Sequence, residues 1–342
     1  MGITPKINVR SRDLRTALIV LAILCLLPLG LHNNPYVMHI LIMCFIWGVL
    51  ASSWELTNQY AGIFNLAQTV FFIAGAYMSA MLALYWGISP WLGLLIGGVV
   101  GGAVGLLVAL PSLRIKGVYT ALLTFALTLI IDPIIRRTEA WGTGGSEGLH
   151  AIPAFQIGTY VFTPLEKVPP YYVALAIFSI SAFIIYKVIH SKVGLAFVAL
   201  RDAGPLAKSA GVSEFRHKLM VFGIAACLAG VAGAFYAHYT RTLSPTAIGL
   251  DVFLVVLLMM MIGGGRFPGA IIAAFALTFI NEFLRATGTL RPIILGAIII
   301  SMIVLRPGGI MGIIDSIRHS IRQRASRAEL PASESSPGKG GG

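Results

Sequence analysis

Apolar runs of membrane-spanning length follow one another along this chain, and one long internal stretch stands apart from them: residues 187–218, KVIHSKVGLAFVALRDAGPLAKSAGVSEFRHK. It carries Lys187, Lys192, Arg201, Lys208, Arg216 and Lys218 against only Asp202 and Glu214. Apolar or small residues recur within it at Leu195, Val198, Ala199, Leu206, Ala207 and Ala210, a helical spacing. The pattern predicts short helices, broken at Gly204-Pro205 and again near Gly211, each with an apolar face that needs a partner. Two readings stay open. The stretch is a basic loop held near anionic lipid headgroups, or a docking element for a cytoplasmic protein.

Composition decides the class. Only 11% of the 342 residues are charged and 57% are hydrophobic. Soluble domains carry roughly 25% charged residues, so this chain cannot cover a soluble surface. The runs are long enough for helices rather than barrel strands, which predicts an all-α integral membrane protein, a polytopic helical bundle. The net charge of +12 does not point to nucleic acid, because the basic residues sit at the ends of apolar runs. Cys25, Cys44 and Cys227 all fall inside apolar runs and offer neither a disulfide framework nor a metal spacing.

Ten spans are predicted, at about 14–31, 36–56, 62–85, 91–110, 117–135, 171–189, 219–239, 250–262, 269–284 and 292–305. The first follows a basic segment, 1–13, but no small-x-small cleavage site follows the run. It therefore reads as an uncleaved helix rather than a signal peptide. With the amino terminus inside and the spans alternating, nineteen of the 25 Lys and Arg residues fall on the inner side. That bias predicts both termini in the cytoplasm, the central segment 190–217 inside, and the Gly- and Pro-rich loop 136–170 outside. The membrane domain covers 14–312. The cytoplasmic remainder, 313–342, ends in a low-complexity sequence of the kind that stays disordered.

Within the spans, Gly93, Gly97, Gly101 and Gly105 recur every fourth residue, a stripe that lets another helix approach backbone to backbone. A weaker version follows at Ala226, Gly230, Gly233 and Ala234. Such stripes serve packing within one subunit or an interface between subunits. Asn58, Gln59, Asn65 and Gln68 form a polar cluster where the third span begins. It either lines a pathway, with Asn58, Asn65 and Gln68 as the lining, or satisfies a broken helix. The ionisable residues in the spans are Glu55, Asp132, Asp251 and Glu282. Asp132 precedes Arg136 by four residues and Glu282 precedes Arg285 by three, spacings that suit local neutralisation. No chain of midplane carboxylates suggests an ion-coupled secondary carrier. No phosphate loop and no H-E-x-x-H motif suggests an enzyme. His238 reads as a packed residue rather than a ligand.

The segments GIFNLAQTVFFIAGAYMSAML, PSLRIKGVYTALLTFALT and TGGSEGL, in that order, resemble the inner-membrane permease subunits of bacterial branched-chain amino acid ABC importers, the LivM type in particular. The likeness continues through SKVGLAFVALRDAGPLAKSAGV, GVAGAFYAHY, SPTAIGLDVFLVVLLMMMIGGG and LRPGGIMG, from about Asn58 to Gly312. The resemblance implies a second permease subunit of LivH type, two cytoplasmic ATPase subunits that bind the ATP, and an extracytoplasmic solute-binding protein. It implies no cofactor on this chain and a place in the bacterial inner membrane. It also implies that the central segment docks on an ATPase, with Arg201, Asp202, Ala207 and Gly211 matching the family's coupling loop. Gly204-Pro205 departs from that loop, which often has an acidic residue there. The substrate implied is a branched-chain or related amino acid. Close relatives carry urea or short amides.

Overall fold

The computed structural model describes residues 11–290 apart from 32–33, 116, 159, 163–165 and 246–248, together with 293–294, 296–297 and 312. The predicted terminal segments, 1–13 and 313–342, lie almost wholly outside these residues, as does most of the tenth predicted span. Eleven α-helices are described: α1 Ser11–Leu31, α2 Pro35–Glu55, α3 Gln68–Trp86, α4 Pro90–Ser112, α5 Val118–Arg137, α6 Val168–Ile189, α7 Lys192–Asp202, α8 Gly204–Ser209, α9 Glu214–Thr240, α10 Leu250–Ile262 and α11 Gly269–Phe283. The loop between α5 and α6 adds a small antiparallel hairpin, β1 Gln156–Ile157 with β2 Tyr160–Val161.

Among the described residues, six stretches are long and apolar enough to cross a membrane: Pro35–Tyr60, which is α2 with its continuation, and α3, α4, α5, α6 and α9. Leu18–Gly30 of α1, α10 and α11 are apolar but shorter. The described residues thus show a multi-pass helical membrane protein, and not ten full-length spans. A helix of α10's 13 residues rises about 20 Å, against a hydrocarbon core of roughly 30 Å.

Local chemistry sets the helix ends. Ser89 caps α4, its Oγ accepting from the Leu92 amide at 3.5 Å. Ser213 caps α9, accepting from the Arg216 amide at 3.4 Å, so α9 begins five residues before the predicted span. Pro28 in α1 removes the amide that would bond the Leu24 carbonyl, and the Tyr171 hydroxyl of α6 donates to that carbonyl at 2.7 Å. This is how a lipid-facing helix tolerates an interior proline.

The three helices α3, α4 and α9 form one tightly packed layer, and α2 lies against α6, α9 and α11. His238 of α9 is packed as expected: Nε2 meets Ser79 Oγ of α3 at 2.8 Å and Nδ1 meets the Pro153 carbonyl at 2.7 Å.

Candidate coupling site at the break between α2 and α3

The third span does not begin at 62. After Glu55 the helix widens into a π-helical turn, Leu56–Tyr60, and residues 61–67 are not helical. Non-helical backbone inside a membrane protein needs partners for its amides and carbonyls. The polar cluster supplies them. Asn58 Oδ1 accepts from the Asn65 amide at 3.0 Å, and Asn65 Oδ1 accepts from the Ala67 amide at 2.9 Å. Trp54 Nε1 donates to the Asn65 carbonyl at 2.5 Å. Gln68 Nε2 donates to Ser53 Oγ at 2.9 Å and to the Ala225 carbonyl at 3.2 Å. Asn65 and Gln68 are fully buried by this chain. The cluster thus meets backbone groups of the break, while Asn58 Nδ2, Asn65 Nδ2 and Gln68 Oε1 are themselves buried without a hydrogen-bond partner among the described residues.

Two further residues complete it. Thr124 Oγ1 accepts from the Leu66 amide at 2.9 Å, and Thr128 Oγ1 donates to the Leu66 carbonyl at 2.8 Å. Neither threonine was singled out in the sequence. The signal was present, because Thr120, Thr124, Thr128 and Asp132 recur every fourth residue through an otherwise apolar run. Glu55 ends α2 fully buried, facing the Ala270 amide at the start of α11, yet neither carboxylate oxygen completes a hydrogen bond.

The central segment folds onto this break. It forms α7 and α8, interrupted at Ala203 and closed by the turn after Ser209, as its Gly-Pro and Gly signals predict. Ser191 caps α7, accepting from the Val193 and Gly194 amides, and Phe197 buries itself beneath the helix. Arg201 then reaches the break: its guanidinium donates to the Gln59 carbonyl in the π-helical turn. The same side chain donates Nε to Asp202 Oδ1 at 2.7 Å and Nη2 to Oδ2 at 3.2 Å. The hydrogen bond from Arg201 holds the Asp202 carboxyl below its ordinary range and raises the guanidinium in turn.

Gly62 explains how the arginine fits. It takes φ +65°, and a Cβ there would run into the Cγ of Arg201. From the other side, Tyr60 Oη accepts from the Phe267 amide at 2.9 Å, in the turn between α10 and α11. Three elements therefore meet at the break: α7, the π-helical turn and the α10–α11 turn. A cleft of about 200 Å³ opens beside them, lined by Gly62, Phe64, Ile115, Thr120, Phe197 and Arg201 among others.

The other residues of the predicted coupling set lie elsewhere on the segment. Ala207 is only 6% exposed, buried by this chain itself, so its small size answers to its own fold. Gly211 takes φ +85° in the turn after α8, with its amide bonded to the Lys208 carbonyl at 2.9 Å. Beyond that turn Glu214 pairs with both Lys208 and Lys218. The outward apolar groups are Leu195, Leu206 and Phe215, with Leu206 72% exposed.

The glycine stripe sits in the bundle interior. A Cβ on Gly97 would lie 2.6 Å from the Ala234 Cβ, and one on Gly101 would lie 2.7 Å from the Ala226 carbonyl oxygen and 2.8 Å from Gly230 Cα. Gly105 meets Ala226, and Gly93 meets Ser79 and His238. The two small-residue stripes face each other, α4 against α9, inside one subunit.

Residues 36–304 match the family described as "Branched-chain amino acid transport system / permease component". This chain belongs to that family. It is 29% identical over 292 residues to the high-affinity branched-chain amino acid transport system permease protein LivM of Salmonella typhimurium, covering 79% of this chain and 68% of that one. It is likewise 29% identical over 327 residues to LivM of Escherichia coli K12, covering 89% and 76%. A probable LivH permease of Methanocaldococcus jannaschii is 25% identical over 285 residues, 78% of this chain and 88% of its own. No solved structure matches. The membership makes the chain a transport permease component, not an enzyme, and does not favour the ion-coupled carrier or the urea or short-amide permease among the sequence readings.

Proposed function

We propose that this chain is one transmembrane half of an ATP-driven importer for branched-chain or related amino acids. A LivH-type permease pairs with it, two cytoplasmic ATPases drive it, and an extracytoplasmic binding protein delivers the substrate. The charge bias of the sequence supports an orientation with α7 and α8 in the cytoplasm. The observation that carries the mechanism is the hydrogen bond from Arg201 of α7 to the Gln59 carbonyl. It ties the first helix of the segment to the unwound stretch between α2 and α3. Force applied to α7 and α8 by an ATPase would pass through Arg201 into the π-helical turn. From there Tyr60 would pass it to the α10–α11 turn, and the threonines would pass it to α5.

The test uses the assembled transporter. Leu206→Asp places a charge on the outward apolar face, and Gly211→Asp forces a side chain onto a left-handed turn. Each is expected to cut uptake about tenfold or more and to weaken ATPase co-purification, with membrane insertion unchanged. Full retention of uptake and co-purification would leave α7–α8 as a basic segment on the membrane surface.

A further inference from the structure

We propose that the cleft beside the break is a binding site for the phosphate of an anionic phospholipid, whose acyl chains lie along the exposed side of α5. The inference goes beyond the importer reading and does not depend on which solute is carried.

Position is the first observation. The walls of the cleft are the end of α4 at Ser112, the turn to α5 at Ile115 and Gly117, the last turns of α7 at Phe197 and Arg201, and the start of α9 at Lys218. Helices α4 and α5 are both of membrane-spanning length, so the turn between them lies where hydrocarbon gives way to headgroups. Gly117 takes φ +62°, and a Cβ there would meet nothing within 4 Å, so the space on this side is unfilled. The cleft measures about 200 Å³, below the roughly 300–1,000 Å³ of sites that enclose a whole small molecule. That size suits a headgroup whose chains stay outside.

Charge is the second. Arg201 and Lys218 line the cleft, with side chains that remain 38% and 21% exposed. Three of the five guanidinium N–H groups of Arg201 are used, by Asp202 and the Gln59 carbonyl. Lys218 meets Glu214 Oε1 at 2.5 Å, one bond for an ammonium with three donors. Glu214 is the carboxylate of the lining, and its other oxygen is taken by Lys208. Both Asp202 oxygens are held by Arg201. Arg201, Lys208 and Lys218 thus stand against Asp202 and Glu214, one positive charge in excess, and Arg114 is exposed beside Ile115. Donors are left over and carboxylate oxygens are not. The cleft therefore selects an anion, and offers nothing to the ammonium of an amino acid or of an amine headgroup.

The apolar surroundings decide which anion. Phe197 and Ile63 floor the cleft, and Phe64 at its edge is 47% exposed. From Gly117 the chain runs directly into Val118, Tyr119 and Leu122, all exposed on α5. A free phosphate has no use for that face. A phospholipid sets its phosphate among the cations and its chains against the helix, the arrangement that basic pockets between membrane helices favour.

The full chain, purified in detergent with the subunits that accompany it, is titrated with phosphatidylglycerol or with zwitterionic phosphatidylcholine, and bound lipid is counted by native mass spectrometry. One phosphatidylglycerol per chain is expected to outlast phosphatidylcholine. Lys218→Gln leaves Glu214 paired with Lys208 and is expected to weaken that binding about fivefold. Leu200→Trp fills the cleft without altering a charge and is expected to weaken it about tenfold or more. Lys192→Gln removes an exposed charge from α7 outside the cleft and is expected to change it less than about twofold. Phosphatidylglycerol should also protect Lys218 from an amine-reactive label. Equal retention of the two lipids, or equal losses in Lys192→Gln and Lys218→Gln, would overturn the proposal and leave a generally basic surface. Parental binding in Leu200→Trp would place the lipid elsewhere. Protection of Lys218 by inorganic phosphate and not by phosphatidylglycerol would overturn it in favour of a soluble anion.

Discussion

The α4–α9 seam and the α2–α3 break are built from opposite chemistry. At the seam, backbones touch because the side chains are missing: Gly97, Gly101 and Gly230 meet with nothing polar to satisfy beyond the helical ladder. At the break, backbones are held apart and the Asn65, Leu66 and Ala67 groups are met by side chains, from Asn58, Asn65, Thr124 and Thr128. Close packing in a membrane gains from dispersion over a long contact and has no cheap alternative arrangement. A hydrogen-bonded break can exchange partners at modest net cost. The comparison teaches that the seam is built to resist rearrangement, and that the groups able to exchange partners are gathered where polar side chains replace the ladder. Helix α7, to which the proposed function assigns the ATPase contact, touches the second region through Arg201.

Four substitutions would break or sharpen that contrast. Gly101→Leu should act hardest, because its added atoms meet the Ala226 carbonyl and Gly230. A cost of about 3 kcal/mol or more is expected, read as loss of monodisperse protein and a lowered unfolding temperature. A mutant that folds and transports normally would mean that the seam yields. Thr124→Val removes the acceptor for the Leu66 amide and should cost about 1–3 kcal/mol in thermal unfolding, with uptake falling further than stability. If uptake survives intact, the break is not a moving part. Gly62→Ala should cost about 1–2 kcal/mol for its left-handed backbone and push Arg201 off the turn. Uptake is expected to fall while the seam, followed by cysteine crosslinking between α4 and α9, is undisturbed. Ser213→Ala removes the cap of α9 at the α7–α8 end, outside both regions, and should cost only about 1 kcal/mol with little change in uptake. A large uptake loss there would show that the segment is coupled through α9 as well as through Arg201.

Much of this was legible in the residues. Low charge and long apolar runs dictate a helical membrane protein, because lipid leaves backbone groups no other partners. The helices of the central segment, with breaks at Gly204-Pro205 and Gly211, follow from proline and glycine chemistry, which is local. The four-residue glycine spacing announces a close-packed face, again a property of one helix. The partner of that face was not legible. Only the tertiary structure sets Gly97 against Ala234, since a stripe specifies how near a neighbour can come and not which neighbour comes. The same limit applied at the break. Asn58, Asn65 and Gln68 stood out as polar in an apolar run, but whether they face a pathway or one another depends on where the chain turns. Ala207 looked small for a partner and is small for its own chain. Periodicity fixes the face on which a residue lies. What lies against that face is decided by contacts between residues 60 to 150 positions apart, such as Leu66 with Thr128 and Gln59 with Arg201, and no local pattern encodes those.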